Sequence, residues 1–330
     1  MKEFHWPLFV FPLPIATCSS HGSSSDIPSG QALRRSGRLF GALGSWNRPA
    51  LWIRLILTGI VAAAIIRELP REISRWYLAA AREQSVDLND HGALERIDRA
   101  IDWSRDDYSL YLIRAAWRLQ AKQPDGSLAD CNQAIRLAPA DRRGYELRWQ
   151  VHMVLGHVEP AMADVQILVE RAQQAYQESK TPAHRFRYAE SLNARAYGRA
   201  LSNQKLELAI EDINLAFGVL ESEDLYSLRD TRGYLYFLTG NYQAARKDLD
   251  YAVRQGRIAY SIEMDMLNQP ERTVSIDRQL RFETRSRKEG LAVLFYHRGL
   301  LHERLGYERK AKEDLHTALE YGYDPSRGIW

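Results

Sequence analysis

Nine histidines and two cysteines are the side chains in this 330-residue sequence best suited to metal binding or nucleophilic chemistry. The closest histidine pairs are His152/His157 and His297/His302. A spacing of five turns two side chains about 140° apart around a helix, so neither pair offers a metal two ligands from one face. Cys18 and Cys131 are too few for a disulfide framework or a zinc site. No glycine-rich phosphate loop, no Gly-x-Ser-x-Gly and no strand to carry either is visible. Carboxylates are plentiful but scattered over helical faces. These residue types predict no catalytic site, no metal and no cofactor. They place the histidines on surfaces or in a groove, and make Cys131 a buried small apolar side chain.

A second pattern concerns paired charge. Arg114, Arg148, Arg195, Arg232 and Arg298 are each followed 16 residues later by Asp130, Asp164, Asp248 or Asp314, or 17 residues later in the case of Asp212. Arginine grips a carboxylate with two parallel hydrogen bonds while its stem packs among apolar neighbours. The spacing therefore predicts recurring arginine–aspartate ion pairs, within a structural unit or to the next one.

The elements that carry these residues follow from composition and period. Apolar residues at 45% and charged ones at 26% exclude wholesale disorder and a polytopic membrane protein. A formal charge of +3 calls for no polyanionic partner, so nucleic acid is not expected, and with no catalytic constellation in the sequence neither is a small-molecule substrate. Residues 1–48 read as a disordered leader. The run SSHGSSSDIPSG from Ser19 to Gly30 has almost nothing to pack, and Pro7, Pro12 and Pro14 argue against a signal helix. Residues 49–69 read as a single transmembrane anchor, with one charge (Arg54) between Ala50 and Ile66 and with Trp46 and Trp52 at interfacial positions. The basic residues before this segment give an N-in bias, which would put the remainder of the chain outside the cytoplasm.

Residues 70–330 show helical periodicity almost throughout. Similar strings recur: Arg232-Gly233-Tyr234 ahead of Ala244-Ala245-Arg246-Lys247-Asp248-Leu249, and Arg298-Gly299-Leu300 ahead of Ala311-Lys312-Glu313-Asp314-Leu315. Units fall near 108–141, 142–175, 189–223, 226–259 and 292–325, after a partial unit at 74–107. The eighth position of each unit holds Ala115, Trp149, Ala196, Gly233 and Gly299, and the twentieth holds Ser127, Ala161, Ala209, Ala245 and Ala311. Turn glycines are Gly156, Gly240 and Gly306. This pattern resembles the tetratricopeptide repeat family, in which helix pairs too small to be stable alone stack through small residues. The resemblance implies an all-α, right-handed α-solenoid of antiparallel helix pairs. Surplus residues around 171–184 and 257–289 imply lengthened helices, the second interrupted at Pro270.

In that family the first helices line a concave groove that receives a peptide or a partner helix. The corresponding positions are Leu112, Ala116 and Leu119, then Glu146, Gln150 and Met153, then Asp230, Tyr234 and Phe237, then Tyr296, Leu300 and Glu303. Leu112, Leu119, Gln150, Met153, Tyr234, Phe237, Tyr296 and Leu300 are the expected partner-binding set. The lysines of a carboxylate clamp are missing, which disfavours a co-chaperone of that subclass. The resemblance thus implies a membrane-anchored, non-catalytic scaffold for a protein partner. Alternatives are an accessory subunit of a membrane-associated enzyme complex and a self-assembling structural factor.

Overall fold

Short capped helices and tight left-handed turns give this chain its shape. The computed structural model describes residues 48–86, 90–222, 225–269 and 274–323. Residues 1–47, which make up the expected leader except Arg48 and include Cys18, and Pro270 lie outside the described residues. Among the described residues there are twelve helices and no strand. They are α1 (Arg48–Val86), α2 (Asp90–Trp103), α3 (Tyr108–Gln120), α4 (Pro124–Leu137), α5 (Arg142–Val154) and α6 (Val158–Glu178). Then follow α7 (Pro182–Ser202), α8 (Leu206–Leu220), α9 (Tyr226–Leu238), α10 (Tyr242–Leu267), α11 (Val274–Arg304) and α12 (Glu308–Glu320).

Helix starts are encoded locally. Asp107 and Asp141 cap α3 and α5 by accepting from the backbone N–H two residues on, while Thr181 and Asn241 cap α7 and α10. Pro124 and Pro182 open α4 and α7, where a missing N–H costs nothing. Each helix then turns back at the fifteenth residue of its unit, always with positive φ: Lys122, Gly156, Asn203, Gly240 and Gly306, at 59°, 73°, 51°, 83° and 75°. Glycine takes this conformation freely, whereas lysine carries a Cβ penalty.

The second helix of each pair lies against the first helix of the next, and first helices also touch across units, α3 to α5, α7 to α9 and α9 to α11. Small residues make this possible. Ala115, Ala196, Ala161, Ala209 and Ala245 are fully buried. A Cβ on Gly233 would meet Leu249 Cγ at 2.8 Å, and one on Gly299 would meet Leu315 Cδ2 at 2.8 Å. Trp149 departs from the small-residue rule and is buried in the largest apolar cluster, with Val165, Leu192 and Ile213. The two surpluses lengthen α6 and α7 to 21 residues each, and α10 and α11 to 26 and 31.

The expectation of a separate transmembrane segment at 49–69 is corrected. That stretch is the first half of one 39-residue helix, α1, which runs through Pro70. Among the described residues no helix is long and apolar enough to cross a membrane. The apolar run stops at Ile66, and Arg67, Glu68, Arg71 and Glu72 follow at once. From Ser74 onward the helix packs on α2, where Ser74 Oγ donates to Ala100 O at 2.9 Å and Ala81 is fully buried. Ahead of that point Trp52, Ile53, Leu55, Ile56, Leu57, Ile60 and Val61 are all more than half exposed.

The turn geometry gives a direct check. Lys122→Gly should stabilise the fold by about 1 kcal/mol, and Gly240→Ala should cost about the same. Urea denaturation of both variants measures this, and equal midpoints would show that the turn conformation carries no strain.

Candidate functional site

Two surfaces concentrate the polar chemistry: a buried charge ladder between the helices of each pair, and the face lined by the first helices.

In the ladder, Arg114 donates Nε–H to Asp130 Oδ2 at 2.9 Å and Nη2–H to Oδ1 at 2.6 Å. The same fork joins Arg148 to Asp164 (2.8 and 2.6 Å), Arg195 to Asp212 (2.9 and 2.7 Å) and Arg298 to Asp314 (2.9 and 2.7 Å). Arg232 joins Asp248 at 2.6 and 3.0 Å. Two parallel bonds from a planar donor fix both distance and orientation. The aspartates are 2–6% exposed, so each depends on its donors in place of water.

The arginine's remaining nitrogen reaches the preceding unit. Arg114 Nη1 contacts Asp98 on α2 at 2.6 Å, Arg148 Nη1 contacts Asn132 on α4 at 2.8 Å, and Arg195 Nη1 contacts Gln166 on α6 at 2.7 Å. Arg298 Nη1 lies 3.5 Å from Asp250 on α10. The sequence left open whether the pairs stay within a unit or link neighbours, and these side chains do both.

A second donor on most of the aspartates escapes a search for arginine–aspartate spacing. Arg118 contacts Asp130 at 2.8 Å, Arg199 contacts Asp212 at 2.6 Å and His302 contacts Asp314 at 2.9 Å. All three occupy the eleventh position of their units, four residues past the ladder arginine, so the signal was present as a basic residue at that position. In the unit of α9 that position is Tyr236, and Arg229 supplies the contact to Asp248 instead, at 2.9 Å. Burial lowers the pKa of His302, with Asp314 opposing, and its Nδ1 lies 2.9 Å from Asp314 Oδ2.

On the first-helix face the expected groove set divides. Leu119, Tyr234, Phe237, Tyr296 and Leu300 are half-buried. Leu112 and Met153, at 2% and 0% exposure, and Gln150 at 6%, are corrected to interior residues. Leu112 packs with Ile97 and Ala134, because the partial unit covers it. Met153 is covered by the lengthened α7, where Gly198 admits both it and Met162.

The histidines at the C-terminal end are corrected likewise. His297 is fully buried, with Nδ1 2.9 Å from Asp230 Oδ2, and Asp230 is buried too. Tyr234 stacks on the His297 ring at 4.1 Å, and Tyr296 stacks on Tyr323 at 4.1 Å. Burial raises the Tyr234 hydroxyl pKa. Nearer the middle, burial raises the carboxyl pKa of Glu146, which Arg142 contacts at 3.3 Å, and that of Glu190. Burial, with the Glu146 charge adding and Arg142 and Arg187 opposing, pushes the Glu190 carboxyl up to about 7. Cys131 is wholly enclosed and burial pushes its thiol up, which suits an inert core residue. Among the described residues no group of three His, Cys, Asp or Glu could hold a metal ion.

No family model matches the chain. A curated protein, the 58 kDa phosphoprotein of Plasmodium berghei, is 29% identical over 89 residues, which is 26% of this chain and 21% of that protein. Among solved structures, a tetratricopeptide repeat protein from Parabacteroides merdae covers 77% of this chain and 95% of its own, with 15% identity and a TM-score of 0.48. A thermophilic TPR protein from Thermus thermophilus, TTC0263, covers 65% and 91%, with 18% identity and a TM-score of 0.42.

Removing one partner of a ladder pair tests its weight. Asp164→Ala strands the Arg148 guanidinium and should cost about 3 kcal/mol, the low end for a buried pair because the arginine keeps some exposure. Replacing both, Arg148→Met with Asp164→Leu, should recover most of that loss. Chemical denaturation of the three proteins is the measurement, and an Asp164→Ala cost below about 1 kcal/mol would reduce the ladder to surface pairing.

Proposed function

We propose that this chain is a non-catalytic protein-interaction scaffold that receives a partner helix or extended segment along its first-helix face. The observation that carries the reading is the row of half-buried apolar and aromatic side chains there, Leu119, Phe237, Tyr296 and Leu300, on a stack of helix pairs. Aromatic and long apolar groups dominate binding hot spots, and pre-ordered ones lose little entropy on contact.

Placing a photo-crosslinking amino acid at Phe237 should trap a discrete polypeptide in the native cell, while the same group at the exposed Arg309 should not. Identical crosslink patterns from both positions would refute the groove.

A further inference from the structure

The joint between α10 and α11 differs from the others. The chain spends 32 extra residues there, α10 continues to Leu267, and α11 begins as early as Val274. Gly256 lets the two helices close on each other: a Cβ there would lie 2.6 Å from Leu294 Cδ1 and 3.1 Å from Leu291 Cδ1. Beside this contact an open cavity of about 700 Å³ remains. Val253 and Leu291 give it an apolar floor, and Tyr260 and Tyr321 stand over it with ring centroids 5.8 Å apart. It lies on the second-helix side, away from the groove proposed above.

The charge balance of this cavity is unlike that of the ladder. Three arginines and one aspartate line it. Asp250 is already answered, within 3.5 Å of Arg298 and 3.6 Å of Arg246, and Arg298 is itself held by Asp314. Arg254 and Arg257, by contrast, have no hydrogen bond or ion pair with any of the described residues. They stand three apart on α10, so they share one face and open toward the same volume. Lys288 Nζ, 5.5 Å from the Tyr321 ring centroid, adds positive charge nearby. Two unanswered guanidinium groups above an apolar floor and between two tyrosines suit an anion carried on an organic chain. A bare inorganic ion would leave most of the volume unfilled.

We propose that this cavity is a second docking site, for an acidic side chain of a partner polypeptide, its carboxylate held by Arg254 and Arg257 as the ladder arginines hold theirs. The tyrosines and the floor would receive the residues beside that anion. Insertions in repeat arrays cluster on one face and are often the binding face, and the long α10 is such an insertion.

The test is isothermal titration of the full-length protein in detergent at low salt with two probes, an acetylated tetraglutamate peptide and a capped phosphoserine tripeptide. The glutamate peptide should bind saturably, and Arg254→Gln with Arg257→Gln should weaken it at least about tenfold, because both charged donors to the carboxylate are removed. Arg309→Gln on α12 should leave binding unchanged, and circular dichroism should show all variants equally helical because both arginines are exposed. Binding of the glutamate peptide that the double variant loses bears the proposal out. Binding of the phosphoserine tripeptide alone, failure of both probes to bind, or binding undiminished in the double variant would overturn it.

Discussion

A carboxylate taken out of water needs several donors, and this chain meets that requirement five times in the same way. Each of the five ladder aspartates holds an arginine fork from the helix that faces it. The attraction roughly offsets the cost of dehydrating both charges, so the net stability gained over an apolar pair is small. Its effect on geometry is larger. The fork admits one helix register, and the remaining arginine nitrogen transfers that register to the preceding unit through Asp98, Asn132 or Gln166. The apolar small residues allow helices to approach. The charged ladder selects which of the close arrangements is adopted.

Most of the fold was legible in the sequence because its rules repeat. Small residues at fixed positions, turn residues with positive φ and the arginine–aspartate spacing each recur along the chain, and repetition separates signal from accident. Legibility ended where residue type varies while the physical role stays constant. The cross-unit acceptor is aspartate, asparagine, glutamine and aspartate in turn, and its common property is only a side-chain oxygen of sufficient reach. The second donor changes from Arg118 to His302 and moves from the eleventh position to Arg229 where Tyr236 intervenes. No single-letter pattern captures either.

The groove residues were misjudged for another reason. Position within a repeat says which way a side chain points, but burial depends on what lies over it. Leu112 points toward the concave side and is covered by the partial unit, and Met153 is covered by the lengthened α7. His297 meets Asp230 across 67 residues of chain, a separation set by the long joint rather than by the repeat. Length irregularities therefore account for these discrepancies between pattern and structure. α1 is a related case: its apolar run was visible, but its continuity with the packed half through Pro70 depends on contacts with α2 that hydropathy does not encode.

The cross-unit bond bears on how the array would respond to force. Where the arginine reaches back at 2.6–2.8 Å, neighbouring pairs are joined by a short polar strut as well as by packing. Across the α10–α11 joint the corresponding separation is 3.5 Å, and the strut is slack. A solenoid built this way is not a uniform spring. The polar coupling between neighbouring pairs therefore varies from joint to joint, and it is tightest where the arginine reaches back over the shortest distance.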